Sequence, residues 1–436
     1  MKKYLSSPCP CGKEHNTTVE EAVIGSGVIN RLPEFVARYG AKKPFVLADM
    51  NTYAAAGEKV CKILEENGIT CSKYVFQVPH LEPDEWAVGS AFMHFDNSCD
   101  LIIGVGSGVI NDIGKILSNV SGRKYIIVGT APSMDGYASD TSSMARDGVK
   151  ISLPSHCADI IIGDIDIVKN APEHMLRSGL GDMLAKYVSI TEWRIAHIIT
   201  GEYYCEEIAG LVRQALKKCV DNAEGLMKRD EAAVEAVFEG LVLSGVAMSY
   251  AGVSRPASGG EHYISHIWDM RGLEFGTKVD LHGIQCAMAT LITVRLYEAV
   301  KKLTPDYAKA EAYVRAFDID EWNRQLKEFL GKGADAMIAL EKKEGKYDKA
   351  THADRFRRIK ENWDATLRII DEELPSSEEI AKILDTIGIV KEPSALDIDH
   401  ATAQMSFKAS KDIRDKYVLP RLAWDLGILD ELAELI

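Results

Sequence analysis

Residues 100–122, DLIIGVGSGVINDIGKILSNVSG, run from an apolar segment through three closely spaced glycines into a helix-compatible segment. The pattern predicts a buried strand, a tight turn at Gly104, Gly106 and Gly108, and a helix. Small residues let the backbone approach a pyrophosphate closely, and a helix start offers unpaired N–H groups and a positive dipole end. Because the third glycine falls at 108 and not at 109, the spacing departs from the dinucleotide fingerprint G-x-G-x-x-G, and a tight turn without a ligand fits about as well.

Strand-like and helix-like segments alternate on either side of this stretch. Strands are predicted at 43–49 and 71–79 and from residue 124, and helices at 52–68 and 82–95. Such alternation indicates βαβ units and a mostly parallel sheet. Ligands of parallel sheets bind at the carboxyl ends of the strands. The turn GVGSG and the loop TAPSMDG (130–136) both lie at such ends, so we expect them to face one crevice.

Asp49 ends the strand predicted at 43–49. Its carboxylate could accept hydrogen bonds from the ribose of a bound nucleotide, or it could cap the helix predicted to begin at residue 52. The sequence leaves both interpretations open.

Beyond about residue 170 the sequence has a helical period and few strand-like runs. The charged segment 332–392 is expected to form solvated helices rather than a disordered linker. Four residues still give it an apolar face: Trp363, Leu367, Ile369 and Ile370.

The length of 436 residues fits two domains. We predict a Rossmann-like α/β dinucleotide-binding domain over residues 1–170 and an all-α domain, which would bind metal and substrate, over residues 171–436. The formal net charge of −14 argues against nonspecific nucleic-acid binding, and it means that an anionic substrate needs a locally positive pocket.

Composition also bears on location. No apolar run approaches the length of a membrane span, and the start MKKYLSSPCPCG lacks the apolar core of a signal peptide. The nine cysteines are an odd number and are scattered, which suits reduced thiols better than a disulfide framework. We therefore expect a cytoplasmic protein without membrane insertion.

The N-terminal segment CPCGKEH carries Cys9, Cys11 and His15. Thiolates and an imidazole are good zinc ligands, but a C-x-C spacing without a second cysteine pair is an incomplete zinc motif. We expect this segment to be a loop at the start of the fold.

The segment GGEHYISHIWDM (259–270) places His262 and His266 four residues apart, on one face of a helix. Downstream, LHG places His282 before another apolar helix, and upstream SGLGDMLAKY places Asp182 near the start of a helix. An acid and histidines on separate helices are a plausible ligand set for zinc or another late transition ion. Each also has an ordinary interpretation, Asp182 as a helix cap and His282 as a loop residue.

The motifs GVGSGVIND, TAPSMDGYAS, GLGDMLAK, SGGEHYISH and LHG, in this order, resemble the sn-glycerol-1-phosphate dehydrogenase family. That family belongs with glycerol dehydrogenase, iron-type alcohol dehydrogenases and dehydroquinate synthase in one superfamily. The resemblance covers roughly residues 20–300 and implies a dehydroquinate synthase-like fold. The Asp/His/His trio is shared across the superfamily, so it indicates the fold and not the substrate. TAPSMDGYAS is the stretch more specific to the glycerol-1-phosphate enzymes.

The resemblance implies a role for each motif. Asp182, His262 and His282 would bind one divalent metal, zinc or nickel, while Asp135, Asp182 and His266 would contact the substrate. NAD or NADP would be held with its adenosine ribose on Asp49. The remaining cofactor contacts implied are Gly108, Val109, Ile110, Asn111, Asp112, Thr130, Ala131, Pro132, Ser133 and Ser139.

The implied reaction is the reversible reduction of dihydroxyacetone phosphate by NAD(P)H to sn-glycerol 1-phosphate. His266 would supply the proton and Asp135 would hold a substrate hydroxyl. Lys186 and Arg255 are open candidates for the phosphate. The resemblance also implies a homo-oligomer acting on a small phosphorylated substrate, and it leaves open whether the product feeds lipid synthesis.

Three alternatives remain at this point. A dehydrogenase of unphosphorylated glycerol or another polyol would use the same ligands and nucleotide turn. A lyase of the dehydroquinate synthase type would keep NAD and metal bound without net oxidation. A non-catalytic nucleotide-binding scaffold would tolerate the loss of ligand residues, yet the ligand positions and Asp135 are all filled here.

Overall fold

The computed structural model describes residues 8–147 and 149–436, which fold into two compact units. The first unit comprises the chain up to Met183 together with Gly210–Val253, and the second comprises Leu184–Ala209 and Ser254–Ile436. The last strand ends at Asp164, and every described element after it is helical. The division into functional domains at residue 170 stays a prediction.

The strands of the described residues all lie in the first unit. They are β1 (Glu21–Gly25), β2 (Pro44–Asp49), β3 (Ser72–Phe76), β4 (Leu101–Gly106), β5 (Lys124–Gly129), β6 (Thr141–Arg146), β7 (Val149–Pro154) and β8 (Ile160–Asp164). Six of them form one parallel sheet in the order β1-β8-β5-β4-β2-β3, and β6 and β7 form an antiparallel hairpin. The predicted parallel α/β sheet is confirmed, whereas β1, β8 and the hairpin were not predicted.

The helices first alternate with the strands as predicted, and the later ones belong partly to the first unit and otherwise to the second. They are α1 (Leu32–Arg38), α2 (Met50–Thr52), α3 (Glu58–Glu66), α4 (Glu85–His94), α5 (Gly108–Ser121), α6 (Ile165–Val168), α7 (Glu173–Leu184), α8 (Lys186–Thr200), α9 (Glu206–Asp221), α10 (Ala223–Met227), α11 (Glu231–Ala251), α12 (Gly260–Phe275), α13 (His282–Val300), α14 (Tyr307–Ala316), α15 (Ile319–Leu330), α16 (Gly333–Glu344), α17 (His352–Glu361), α18 (Trp363–Glu373), α19 (Ser377–Ile387), α20 (His400–Ser410), α21 (Leu419–Asp425) and α22 (Leu429–Ala433). A π-helical turn, Tyr53–Gly57, joins α2 to α3. Among the later helices, α10, α11 and most of α9 belong to the first unit.

The sheet places three strand ends beside one another. Leu47 of β2 pairs with Gly104 of β4, and Gly106 of β4 pairs with Gly129 of β5, all in parallel. All six residues of β4 are buried, which explains its unbroken apolar run, because a parallel sheet is covered on both faces. The carboxyl ends of β2, β4 and β5 therefore form one continuous edge of the sheet.

Two glycines of the GVGSG turn are required by packing inside the protein. A Cβ on Gly104 would collide with the hydroxyl of the buried Tyr125, and a Cβ on Gly106 would lie 2.5 Å from the Ile110 Cβ. Gly106 thus lets α5 approach the sheet, and Gly104 leaves room for the Tyr125 side chain of β5. Gly108, the first residue of α5, meets only the flexible end of Met134.

Helix α11 is long and apolar enough to cross a membrane by length and composition, with a mean hydropathy of 1.5. This helix differs from the expectation that no apolar run approaches the length of a membrane span. Within the structure 67% of this apolar stretch is buried. Its Phe238 ring fills the space above Gly129 and Gly163 of the sheet, where no Cβ could fit. This is the packing expected of a core helix.

The second unit is built around a core of aromatic and aliphatic side chains that includes Trp268, Trp424 and Tyr297. Helices α16 to α19 cover most of the charged segment 332–392, as predicted. Their apolar face contacts this core: Trp363, Ile369 and Ile370 are buried, and Leu367 is partly buried.

Helix α7 lies against the loop that follows β5 at a distance that only glycine allows. A Cβ on Gly179 would overlap the carbonyl oxygen of Pro132, which belongs to the backbone and cannot rotate away. One residue earlier, the Ser178 hydroxyl donates a hydrogen bond to the Ser133 carbonyl at 2.7 Å. The helix and the loop are therefore held in one fixed relation.

We predict that Gly179→Ala lowers the free energy of unfolding by roughly 1–3 kcal/mol, the usual cost of overpacking a filled interior. The matched control is Gly210→Ala in α9, where an added Cβ meets no atom within 4 Å. That control should leave stability unchanged or raise it by up to about 1 kcal/mol, because glycine is a poor helix residue. Urea unfolding of both variants measures the difference, and equal midpoints would contradict the described contact.

Candidate active site

Asp49 closes β2 at the carboxyl edge of the sheet and caps the helix that follows. Its Oδ1 accepts hydrogen bonds from the backbone N–H groups of Asn51 and Thr52, at 2.8 and 2.9 Å. The Thr52 hydroxyl in turn accepts the Asp49 N–H, which completes a capping box. The cap was one of the two interpretations of Asp49. Since both cap bonds use Oδ1, the cap does not exclude a role for Oδ2 toward a ribose, which stays a prediction.

The turn after β4 and the loop after β5 are joined by side-chain hydrogen bonds. The hydroxyls of Ser107 and Ser133 lie 2.5 Å apart, and the Tyr137 hydroxyl donates to the Ala131 carbonyl at 2.7 Å. The Thr130 N–H donates to the Gly106 carbonyl at 3.1 Å. GVGSG and TAPSMDG therefore lie at one edge of the sheet, and the expectation that they face one crevice stays a prediction.

Asn111 and Asp112 in the first turns of α5 support the loop that follows. The Asn111 amide donates to the Gly136 carbonyl at 2.9 Å. Asp112 forms a 2.9 Å ion pair with the buried Lys115, which also donates to the Thr141 carbonyl at 2.6 Å. Burial raises the pKa of Asp112, and Lys115 opposes that shift.

The remaining predicted cofactor residues lie on the same two segments. Gly108 and Val109 are half-buried, whereas Ile110, Thr130, Ala131, Pro132, Ser133 and Ser139 are buried. The Ser139 hydroxyl lies 3.1 Å from that of Thr141. All of them therefore gather at the carboxyl edge, and their contact with a dinucleotide stays a prediction.

Asp182 and Asp135 are linked through the backbone. The fully buried Asp182 carboxylate accepts the Asp135 N–H at 2.9 Å through Oδ2, and Asp135 Oδ2 accepts the Ser244 hydroxyl of α11 at 2.8 Å. The prediction that Asp182 lies near the start of a helix is wrong, because α7 spans Glu173–Leu184 and Asp182 is near its end. It is therefore no helix cap, and its burial at the end of α7 leaves a carboxylate fixed beside the loop.

The second unit brings three histidines together. His262 and His266 lie one turn apart in α12, and His282 is the first residue of α13. The ring centroids of His262 and His282 are 5.0 Å apart, and those of His266 and His282 are 5.4 Å apart in a stacked arrangement. His262 is buried, whereas His266 and His282 are half-buried. The three imidazoles therefore lie close together in this unit, as expected.

A buried carboxylate fixes the orientation of His262. Its Nδ1 lies 2.7 Å from Glu261 Oε1, and a carboxylate only accepts hydrogen bonds, so Nδ1 carries the proton and Nε2 carries the lone pair. Histidines that bind metals are commonly held in this way, with the other ring nitrogen donating to a carboxylate. The buried Glu192 lies nearby and accepts the Gly260 N–H at 2.7 Å. Burial, with the Glu261 charge close by, raises the pKa of Glu192.

The sequence analysis missed two further residues that lie beside these histidines. The Sγ of the buried Cys286 and one ring nitrogen each of His262 and His282 all lie within 4.8 Å of one another. A carboxylate oxygen of Asp269 and one ring nitrogen each of His266 and His282 also lie within 4.8 Å of one another. Burial opposes ionisation of Cys286, yet the two imidazoles lower the pKa of its thiol to about 7. The i, i+4 spacing of His282 and Cys286 was the available signal.

The two basic candidates for a phosphate support the loop before α12. Lys186 is buried and donates to the Ala257 carbonyl at 3.0 Å. The buried Arg255 is paired with Glu202, with its Nε 2.6 Å from Oε1, and donates to the Tyr417 carbonyl at 3.1 Å. The Arg255 charge is therefore already neutralised by a partner.

The chain combines a parallel sheet with helices that bring three histidines together, and part of it is similar to the iron-containing alcohol dehydrogenases. The family model described as "Iron-containing alcohol dehydrogenase" matches residues 23–172. Among solved structures, a glycerol dehydrogenase from Schizosaccharomyces pombe is similar with a TM-score of 0.60 and 18% identity, over 97% of this chain and 92% of that one. At that identity the likeness concerns the fold.

Curated relatives narrow the assignment. An enzyme of Halalkalibacterium halodurans named glycerol-1-phosphate dehydrogenase [NAD(P)+] is 28% identical over 96% of this chain and 95% of its own length. One of Bacillus licheniformis with the same name is 32% identical over 75% of this chain and 84% of its own length. The chain belongs to the glycerol-1-phosphate dehydrogenase family.

We predict that Glu261→Gln weakens binding of the divalent metal expected at the histidines by about 10–100-fold, the usual cost of changing a group that orients a metal ligand. The amide keeps the shape of the side chain but removes the charge that faces His262 Nδ1. The control is Glu361→Gln in α17, whose side chain is 56% exposed. The measurement is the zinc or nickel concentration that half-restores NAD(P)H-dependent activity to metal-free protein, and equal values for both variants would refute the assigned orientation.

Proposed function

We propose that the chain catalyses the reversible reduction of dihydroxyacetone phosphate to sn-glycerol 1-phosphate with NADH or NADPH. The observation that carries the proposal is the convergence of His262, His266 and His282 in a member of this family. We further propose that it acts in the cytoplasm as a homo-oligomer on this small phosphorylated substrate, without nucleic acid and without insertion into a membrane.

Asp182, His262 and His282 are the proposed ligands of one divalent ion, zinc or nickel. The donor set supports this assignment, because late transition ions prefer imidazole nitrogen and accept carboxylate oxygen. The proton that Glu261 holds on His262 Nδ1 leaves Nε2 as the coordinating nitrogen. Asp182 joins the set by resemblance and by its buried, fixed carboxylate. When bound, such an ion supplies Lewis acidity that stabilises negative charge on the carbonyl oxygen of the substrate.

His266 is the proposed proton donor. Its ring stacks on His282, so it belongs to the same cluster as the proposed ligands, and an imidazole can give up a proton near neutral pH. The proton would go from the imidazole to the oxygen of the newly reduced carbon. Asp135 is the proposed anchor for a substrate hydroxyl, since the Ser244 hydroxyl and the Asp182 link hold it in place. Fixing that hydroxyl determines which face of the ketone is reduced.

The carboxyl edge of the sheet is the proposed site of the dinucleotide, which supplies or accepts the hydride when bound. The turn Gly106–Gly108 and the start of α5 suit a pyrophosphate. The Asp49 carboxylate favours NAD, because it would repel a 2′-phosphate, while the names of the relatives include both cofactor forms. For the substrate phosphate, Lys186 and Arg255 stay open candidates, and Arg255 is paired with Glu202.

The substrate assignment is tested by NADH oxidation at 340 nm with zinc- or nickel-loaded protein, comparing dihydroxyacetone phosphate with dihydroxyacetone. We expect a strong preference for the phosphorylated ketone in kcat/KM. Preference for the plain ketone would make the chain a polyol dehydrogenase with the same fold. Oxidation of NADH with neither ketone would overturn the proposal in favour of a lyase or a non-catalytic protein.

The division of roles is tested by two variants. Asp182→Ala should lose metal and activity together, whereas His266→Ala should keep its metal and lose roughly 100- to 10,000-fold in kcat, the range for a general acid. His400→Ala, which removes an exposed imidazole at the start of α20, is the control and should match the parent protein. Loss of metal from His266→Ala would show that His266 is a ligand and that the division of roles is wrong.

A further inference from the structure

The N-terminal segment CPCGKEH forms a tight turn that carries two thiols. The Gly12 N–H donates to the Cys9 carbonyl at 3.0 Å, and Gly12 has φ +79°, a backbone conformation that suits glycine. Pro10 lies at the second position of this turn, where its fixed φ is favourable. Cys9 is buried and Cys11 is half-buried. The turn therefore holds both thiols in defined positions, although the segment has neither helix nor strand before β1 begins.

A hydrogen bond at Nδ1 of His15 orients the ring so that its other nitrogen, Nε2, faces the Cys11 thiol. Its Nδ1 lies 2.9 Å from the Tyr250 carbonyl oxygen near the end of α11. A carbonyl oxygen only accepts hydrogen bonds, so Nδ1 carries the proton and Nε2 carries the lone pair. Nε2 lies 3.2 Å from the Cys11 Sγ. A backbone carbonyl that fixes the tautomer in this way is typical of histidines that bind metals.

The three side chains lie close to the separations that a tetrahedral ion requires. The Sγ atoms of Cys9 and Cys11 and a ring nitrogen of His15 all lie within 4.8 Å of one another. Zinc bonds of about 2.3 Å to sulfur and 2.0 Å to nitrogen put neighbouring ligand atoms roughly 3.5–3.8 Å apart. Small adjustments of these side chains would therefore bring all three into coordination distance.

We propose that Cys9, Cys11 and His15 bind a zinc ion at a second site, separate in composition from the histidine site of the proposed function. Binding would form two Zn–S bonds and one Zn–N bond and would release the two thiol protons to solvent. A further donor would complete the tetrahedron. The chemistry is that of a thiolate-rich structural site, and zinc needs no oxidant or reductant to bind there.

A zinc ion at this site would fix the N-terminal segment to the rest of the first unit. The ion would tie the Cys9–Gly12 turn to His15, and His15 is tied to the Tyr250 carbonyl, 235 residues further along the chain. Residues 9–20 contain no regular element that could anchor them. Zinc at this site should therefore raise thermal stability without taking part in the reaction.

The test compares full-length variants loaded with cobalt, whose thiolate complexes absorb in the near ultraviolet. Wild type should bind two equivalents and show the thiolate band, and Cys9→Ser/Cys11→Ser should lose one equivalent together with most of that band. The matched control is Cys61→Ser/Cys71→Ser, which removes two half-buried thiols of the same unit and should keep both equivalents. Asp182→Ala should lose the other equivalent and keep the band. Full metal content and an undiminished band in Cys9→Ser/Cys11→Ser would overturn the proposal.

A measurement on unmodified protein covers the case in which the double variant does not fold. Zinc-loaded wild type is exposed to iodoacetamide with and without chelator, and alkylation of the Cys11 peptide is followed by mass spectrometry. Zinc should slow alkylation of Cys11 and leave that of Cys61 unchanged. Equal rates for Cys11 with and without zinc would overturn the proposal, whether or not the protein reduces dihydroxyacetone phosphate.

Discussion

The approach of α7 to the loop after β5 is the constraint on which the proposed chemistry of the first unit depends. Because Gly179 has no side chain, the helix backbone rests on the Pro132 carbonyl. That contact brings the carboxylate of Asp182 to the backbone N–H of Asp135. Asp182 is buried and Asp135 is half-buried, and without the contact their relative position would not be fixed. The loop after β5 and Asp135, the proposed substrate anchor, are thus positioned by a backbone contact between α7 and that loop.

In the second unit, the buried carboxylate of Glu261 orients the histidine next to it, His262. Glu261 is fully buried, and its Oε1 accepts hydrogen bonds from His262 Nδ1 and from the Gly259 N–H. Around the loop before α12, the buried Lys186 and Lys416 donate to the carbonyls of Ala257 and Ser258. These two amines are held by backbone carbonyls next to the start of α12, and burial lowers the pKa of Lys416 well below its usual range. Charges buried in this manner specify orientation more than they add stability.

The elements that were predicted correctly are those whose local sequence pattern matches their burial and position in the fold. Strand β4 is apolar throughout because it is buried on both faces, and the TAPSMDG loop lies where parallel strands end. Strands β1 and β8 were not predicted, although each has the same length of five residues as the predicted β3. Asp182 was misplaced because the glycines around it suggested a helix start, whereas Gly179 serves a contact that lies far away in sequence. No metal-binding role was predicted for Cys286 or for the turn at Cys9, because only the fold determines which side chains lie beside them.

The stereochemistry of the product tests the central claim most directly, because it separates this family's reaction from every other reduction of the same ketone. Dihydroxyacetone phosphate would be reduced to completion by the metal-loaded protein with NADH, and the product offered to a dehydrogenase specific for sn-glycerol 3-phosphate. The account predicts a product that this second enzyme leaves untouched, although chemical analysis finds glycerol phosphate in stoichiometric amount. A product that the second enzyme oxidises fully would be sn-glycerol 3-phosphate, and it would contradict the proposed reaction while leaving the fold and the histidine cluster as described.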